Sequence, residues 1–212
     1  SGGSNQTATY TNITATTTYT VTVTNANGCS GTASQTGTVN TNPTVSATAD
    51  PATICAGATS TLTATASGGP SPYQYSWDHG LGNGPTKTVT PSATTTYSVT
   101  TTDDNGCTAA TTTTVMVNAN PTPTISGPSA VCTGGSVTLD AGPGFSSYAW
   151  SNSGGSNQTA TYTNITATTT YTVTVTNANG CSGAASQTVT VNQVTASTTV
   201  MHETCNMCND GE

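Results

Sequence analysis

Hydrophobic and polar residues alternate one by one over short runs of this chain. In Tyr19-Thr20-Val21-Thr22-Val23-Thr24 the tyrosine and both valines fall on one side and the three threonines on the other, and Tyr171–Thr176 repeats the pattern. A period of two, carried by β-branched and aromatic residues, predicts a strand with one buried and one wetted face. Val189 and Val191, matched by Val115 and Val117, alternate with polar residues in a following strand. Between the two strands stands Asn-Ala-Asn-Gly-Cys (Asn25–Cys29, Asn177–Cys181) or Asp-Asp-Asn-Gly-Cys (Asp103–Cys107). Asn-Gly tolerates the positive φ of a tight turn, so each of these marks an antiparallel hairpin.

Further upstream, Leu62, Ala64 and Ala66 alternate with threonine, as Val137 and Leu139 do with Thr138 and Asp140. A third kind of segment carries a tryptophan, at Tyr73–Trp77 and at Tyr148–Trp150. The order Cys, Trp, Cys over several short strands predicts an immunoglobulin-like sandwich, and helix signals are absent. The expected fold is therefore all-β, a tandem of immunoglobulin-like antiparallel β-sandwich domains. Trp77, Trp150, Tyr19, Tyr97 and Tyr171 are the expected core aromatics, with each tryptophan packed against a disulfide and a tyrosine strand.

The same pattern recurs on a larger scale. Residues 1–40 return at 153–192 with two differences, Thr32/Ala184 and Gly37/Val189. A weaker copy lies between them, in which Tyr97, Cys107 and Asn118 keep the spacing of Tyr171, Cys181 and Asn192. The steps of 78 and 74 residues are those of whole small domains, longer than the ~20–50 residues of solenoid turns. The expected organisation is 1–40, the C-terminal half of a repeat; 41–118 and 119–192, complete repeats; and 193–212, the start of a further repeat. Asn42-Pro43 and Asn120-Pro121 mark the joints. Either the chain is a window on a longer array, or neighbouring chains complete each other's halves head to tail.

The cysteines follow the same ruler. Cys55, Cys132 and Cys205 lie 15, 14 and 13 residues after Asn40, Asn118 and Asn192. If antiparallel neighbours bring the cysteine-bearing strand ends to one pole, the bridges are Cys55–Cys107 and Cys132–Cys181. Each would close a loop of about 50 residues, worth ~4 kcal/mol in the chain-entropy picture. Cys29 and Cys205 then find no partner within the chain.

Composition narrows the function. Threonine supplies about a quarter of the 212 residues, only nine side chains are formally charged, and the net charge is −7. Lys87 is the sole basic residue, which argues against nucleic acid and anionic membranes as partners. No apolar run reaches the ~18 residues of a membrane span. Small cores stapled by cysteines suit an extracellular location.

Chemistry-bearing clusters are few. Cys205-Asn206-Met207-Cys208 has metal-ligand spacing, but only His202 lies near, and a zinc site takes about four ligands. Asp103-Asp104 falls short of the six or more oxygens of a calcium cage and reads as a solvated turn. Lys87 lacks a carboxyl partner for an isopeptide bond, and Asp78-His79 lacks a nucleophile. No catalytic, metal or cofactor site is expected, and the chain reads as a non-enzyme. Tyr73, Tyr75 and Phe145, if exposed, could stack on sugars, which makes surface glycans the second class of partner after neighbouring repeats. The threonine faces are also possible carriers of O-glycans.

Pro72-Tyr73-Gln74-Tyr75-Ser76-Trp77, Thr94-Thr95-Thr96-Tyr97-Ser98-Val99 and the Asn-Gly-Cys turns resemble the immunoglobulin-like and PKD-like repeats of giant cell-surface proteins in Bacteroidetes. Glu203–Gly211 is similar to the opening of repeats in gliding-motility adhesins of that group. The resemblance implies secretion by the type IX system and display in a surface filament or adhesin, although no sorting domain stands in these residues. The expected function is a structural segment of an extracellular stalk built from tandem repeats. The alternatives are a head-to-tail complementing fibre subunit and a carbohydrate-binding adhesive module.

Overall fold

The computed structural model describes residues 6–193, and among them it contains sixteen strands and no helix. The chain divides into two compact units, Ser1–Asn118 and Ala119–Glu212, which are described separately.

The first unit opens with a two-stranded hairpin, β1 (Thr17–Thr24) and β2 (Ser30–Gly37), in which Tyr19 lies opposite Gln35 and Val21 opposite Ala33. A complete sandwich follows, built from β3 (Thr44–Asp50), β4 (Thr53–Cys55), β5 (Ser60–Ser67), β6 (Gln74–Trp77), β7 (Gly82–Asn83), β8 (Thr86–Val89), β9 (Thr95–Thr102) and β10 (Thr108–Asn118). One sheet has the order β3-β5-β8 and the other β4-β10-β9-β6-β7. The chain alternates between the sheets from β3 to β6, adds β7 beside β6, crosses back at β8, and ends in the β9–β10 hairpin; this is an immunoglobulin-type sandwich order. Leu62 and Ala64 from one sheet meet Trp77, Tyr97, Val99 and Val115 from the other, and all six are buried. Burial of each large side chain stabilises the fold by about 1.5–3 kcal/mol.

The second unit repeats the plan with β11 (Ala130–Cys132), β12 (Gly135–Asp140), β13 (Ser147–Trp150), β14 (Thr159–Ile165), β15 (Thr169–Thr176) and β16 (Ser182–Asn192). Its sheets are β12-β14 and β11-β16-β15-β13. Val137 and Leu139 of β12 and Ala160, Tyr162 and Ile165 of β14 face Trp150, Tyr171, Val173, Val175 and Val189. Strand β14 is the element that alternation of Ala160 and Tyr162 with threonine should have exposed in the sequence, and the reading above assigns nothing to it.

Outer faces are held by hydroxyls in place of charges. Thr170 and Thr172 of β15 bond across to Thr188 and Ser186 of β16 at 2.8 Å each, and Thr96 bonds to Thr114 at 2.8 Å in the first sandwich. Cross-strand pairs of this kind contribute a few tenths of a kcal/mol each, and they leave the surface wet without attracting ions.

One register decides the fate of the cysteines. Strand β4 pairs with β10 in parallel, Cys55 opposite Asn118, and β11 pairs with β16 in parallel, Cys132 opposite Asn192. Cys107 and Cys181 directly precede the other ends of β10 and β16. The two cysteines of each repeat thus stand at opposite poles, roughly 35 Å apart at the rise of a strand.

Candidate functional site

The three Asn-Gly-Cys turns are built alike. The first residue of each uses a side-chain oxygen to accept two backbone N–H groups: Asn25 from Asn27 and Cys29, Asp103 from Asn105 and Cys107, and Asn177 from Asn179 and Cys181, all at 2.9–3.0 Å. The glycine adopts φ near +80° in all three, where a Cβ would be strained. Asp103 therefore serves the turn as its asparagine counterparts do. Its second oxygen, Oδ2, is buried with no hydrogen-bond partner among the described residues. Among those residues no group of three or more His, Cys, Asp or Glu side chains is placed to hold a metal.

The bridges Cys55–Cys107 and Cys132–Cys181 are not formed. Cys107 and Cys132 carry free thiols, as does Cys29. A disulfide requires Cα atoms ~4.4–6.8 Å apart, and the parallel pairing of β4 and β11 sends their cysteines to the far pole. The expectation assumed that these strands run antiparallel to their neighbours. Trp77 and Trp150 accordingly pack without a bridge inside their own repeats. Cys55 and Cys181 are disulfide-bonded, and neither bond is to Cys107 or Cys132, whose thiols are free. Cys205, Cys208 and His202 lie outside the described residues.

Trp77 and Trp150 are buried, and each satisfies its indole N–H on a backbone carbonyl, Gly84 at 3.1 Å and Asn157 at 3.0 Å. Tyr97 and Tyr171 are buried as well, whereas Tyr19 is only half-covered. The aromatic residues considered for sugar stacking are spread out and engaged. Tyr73 donates to Gly68, Tyr75 Oη accepts the Ala66 N–H, and Phe145 packs edge-on against Tyr148 at 5.9 Å.

Polar side chains outside the cores make local contacts. His79 Nδ1 meets Asp78 Oδ1 at 2.8 Å on an exposed loop, and Lys87 Nζ donates to the Asn83 carbonyl at 2.6 Å, not to a carboxylate. Two open depressions of about 450 and 500 Å3 lie beside Tyr162–Tyr171 and His79–Tyr97. The second is lined by His79 with Thr90 and Ser92, and in the first, burial, followed by the neighbouring Tyr171, holds the Tyr162 phenol above its usual range.

Among the described residues, four of the five exposed large hydrophobic side chains lie on or beside β1–β2, the fifth being Met116 on β10. Val21 and Val23 are 56% and 64% exposed, with Tyr10 and Ile13 beside them.

Comparison with known proteins gives remote structural likenesses. The N-terminal eight immunoglobulin domains of Down syndrome cell adhesion molecule, isoform 1.30.30, align over 84% of this chain and 28% of that one, at 17% identity and a TM-score of 0.45. A Ca2+-stabilised adhesin that helps an Antarctic bacterium reach out and bind ice aligns over 84% of this chain and 57% of that one, at 18% identity and a TM-score of 0.40. A 1.5-MDa bacterial ice-binding adhesin aligns over 84% of this chain and 74% of the solved portion, at 19% identity and a TM-score of 0.38. The chain spans less than two thirds of the first two. No protein-family profile matches the chain, and no curated protein does. The all-β, immunoglobulin-like fold itself stands on the strand order given above.

Proposed function

We propose that this chain is a structural segment of an extracellular cell-surface stalk or filament, built from tandem immunoglobulin-like repeats, that carries an adhesive or motile element away from the cell. The observation that carries this reading is the repetition itself: two successive sandwiches in which β4-β10-β9-β6 and β5-β8 of the first recur as β11-β16-β15-β13 and β12-β14 of the second, with hydroxyl-covered outer faces. Selection that copies a module preserves length and presentation, whereas a catalyst or receptor needs one site made once. The resemblance to Bacteroidetes surface repeats supports the same placement and would make the type IX system the export route. No helix among the described residues is long and apolar enough to cross a membrane.

A spacer can be replaced by any domain of equal length. In cells that display the intact protein, exchanging residues 41–192 for two unrelated immunoglobulin-like domains should preserve adhesion or movement, and deleting them should reduce it. Loss of function on exchange, with surface display intact, would overturn the stalk reading and favour direct ligand contact, including the glycan-binding alternative.

The uncovered face of β1–β2 favours a second reading, in which the first repeat is completed by polypeptide outside these residues, in the same chain or in a neighbouring subunit of a fibre.

A further inference from the structure

The chain contains an internal control for its own exposed face. Residues 1–40 and 153–192 share 38 of 40 residues, yet they stand in different surroundings. Several contacts internal to the hairpin recur in both. Tyr10 stacks on Tyr19 at 4.0 Å, as Tyr162 does on Tyr171 at 3.9 Å. Thr20 bonds Ser34 as Thr172 bonds Ser186, both at 2.8 Å. Thr16 accepts the Val39 N–H as Thr168 accepts that of Val191, both at 3.0 Å. Asn12 and Asn164 both adopt positive φ, 57° and 54°.

Everything that depends on residues 119–152 differs. Val21 is 56% exposed and its counterpart Val173 fully buried; Val23 is 64% exposed and Val175 fully buried. Thr159–Ile165 forms β14 because β12 lies beside it, whereas the identical stretch Thr7–Ile13 forms no strand. A Cβ on Gly183 would strike the Pro121 carbonyl, while Gly31 faces open space. The missing partner is therefore specified in shape and chemistry.

We infer that the β1–β2 face is a docking surface for one occupant: a segment of three short strands with the chemistry of residues 119–152. It would offer inward valine and leucine as Val137 and Leu139 do, a tryptophan as Trp150 does, and a proline against Gly31. A second copy of residues 119–152 is not free to supply it. In a second copy the corresponding segment already lies against β15 and β16, and in the second repeat it directly precedes Ser153. The inference stands apart from the stalk reading, since a completed sandwich could serve any function.

The test compares the 212-residue chain with an extended chain carrying residues 119–152, with Cys132→Ser, ahead of Ser1. Hydrogen exchange in the extended chain should slow by ~100-fold or more at Tyr10–Ile13 and Val21–Val23, the protection of a cooperatively folded sandwich. Val21→Asp should leave the melting of the 212-residue chain unchanged and abolish the new protection in the extended one. Val173→Asp, a counterpart in a covered face, should unfold the second unit in either chain. Unchanged exchange on extension would overturn the proposal. So would a 212-residue chain that sediments as a dimer and loses that dimer on Val21→Asp, because the occupant would then be a second copy.

Discussion

Asn177 donates from Nδ2 to the carbonyl of Ala119 at 3.0 Å, tying the last hairpin of the second repeat to the segment that opens it. Asp103 holds the same place in the preceding repeat and has no hydrogen to give. Its Oδ2 is buried without a partner among the described residues, and a Cβ built on Gly69 would crowd both that oxygen and the Thr41 carbonyl, the counterpart of Ala119. Two acceptors thus face one point where the second repeat has a donor and an acceptor. Asp103→Asn should restore the donor, keep both turn bonds through Oδ1, and stabilise the first unit by about 1–3 kcal/mol. Chemical denaturation of that unit checks it, and a destabilised variant would show that Oδ2 has a partner of another kind.

The thiol pattern is open to direct measurement. In the native, unreduced protein, Cys29 and Cys132 should alkylate readily and half-buried Cys107 more slowly, while Cys55 and Cys181 should react only after reduction. A non-reducing digest should contain neither a Cys55–Cys107 nor a Cys132–Cys181 peptide. Recovery of either would mean that β4 or β11 does not pair in parallel with the last strand of its repeat.

These two results mark how far the residues alone could be read. Alternation placed Leu62, Val99, Val137 and Val173 on inward faces, because a face is a local property of a strand with a period of two. The cysteine poles were not legible. Thr53–Cys55 and Ala130–Cys132 are three residues each with one inward-facing side chain, Ile54 or Val131, and nothing in such a segment says which way it runs beside β10 or β16. Cysteine spacing suits either direction. Tyr19 shows the limit most plainly: its sequence surroundings match those of Tyr171, and its exposure differs because burial is set by β12 and β13, which are remote in sequence. The turn sequence around Asp103 predicts a solvated carboxylate, because aspartate in a turn usually is one; its burial comes from Gly69 and Thr41 beside it.

Acid should weaken the second unit in a way that one residue accounts for. Asp140 Oδ1 accepts from Gln158 Nε2 at 2.9 Å and from the Gly142 N–H at 2.8 Å, and these bonds hold its carboxyl below the usual range. A carboxyl whose pKa is lower folded than unfolded contributes stability above the unfolded pKa, and that contribution is lost as the pH falls through the folded value. The denaturation midpoint of the second unit should therefore drop between about pH 5 and pH 2, and Asp140→Asn should flatten that dependence. An unchanged acid limb in the variant would assign the effect to another group.

The tryptophans separate a core role from a surface one. Trp150 lies opposite Val173 across β13 and β15, is 7% exposed, and gives its indole hydrogen to Asn157. Trp150→Ala should cost the second unit about 3–5 kcal/mol, because the cavity is ringed by β-strands that cannot collapse into it. Trp150→Phe keeps most of the apolar volume but leaves the Asn157 carbonyl without its donor, so its cost should be smaller, about 1–2 kcal/mol. Trp77 makes the corresponding bond to Gly84 and should give the same ordering in the first unit. Thermal and denaturant unfolding of the four variants decides the matter. Near-native stability of Trp150→Ala would mean that the side chain is not a core element and would return it to the list of surface aromatics available to a ligand.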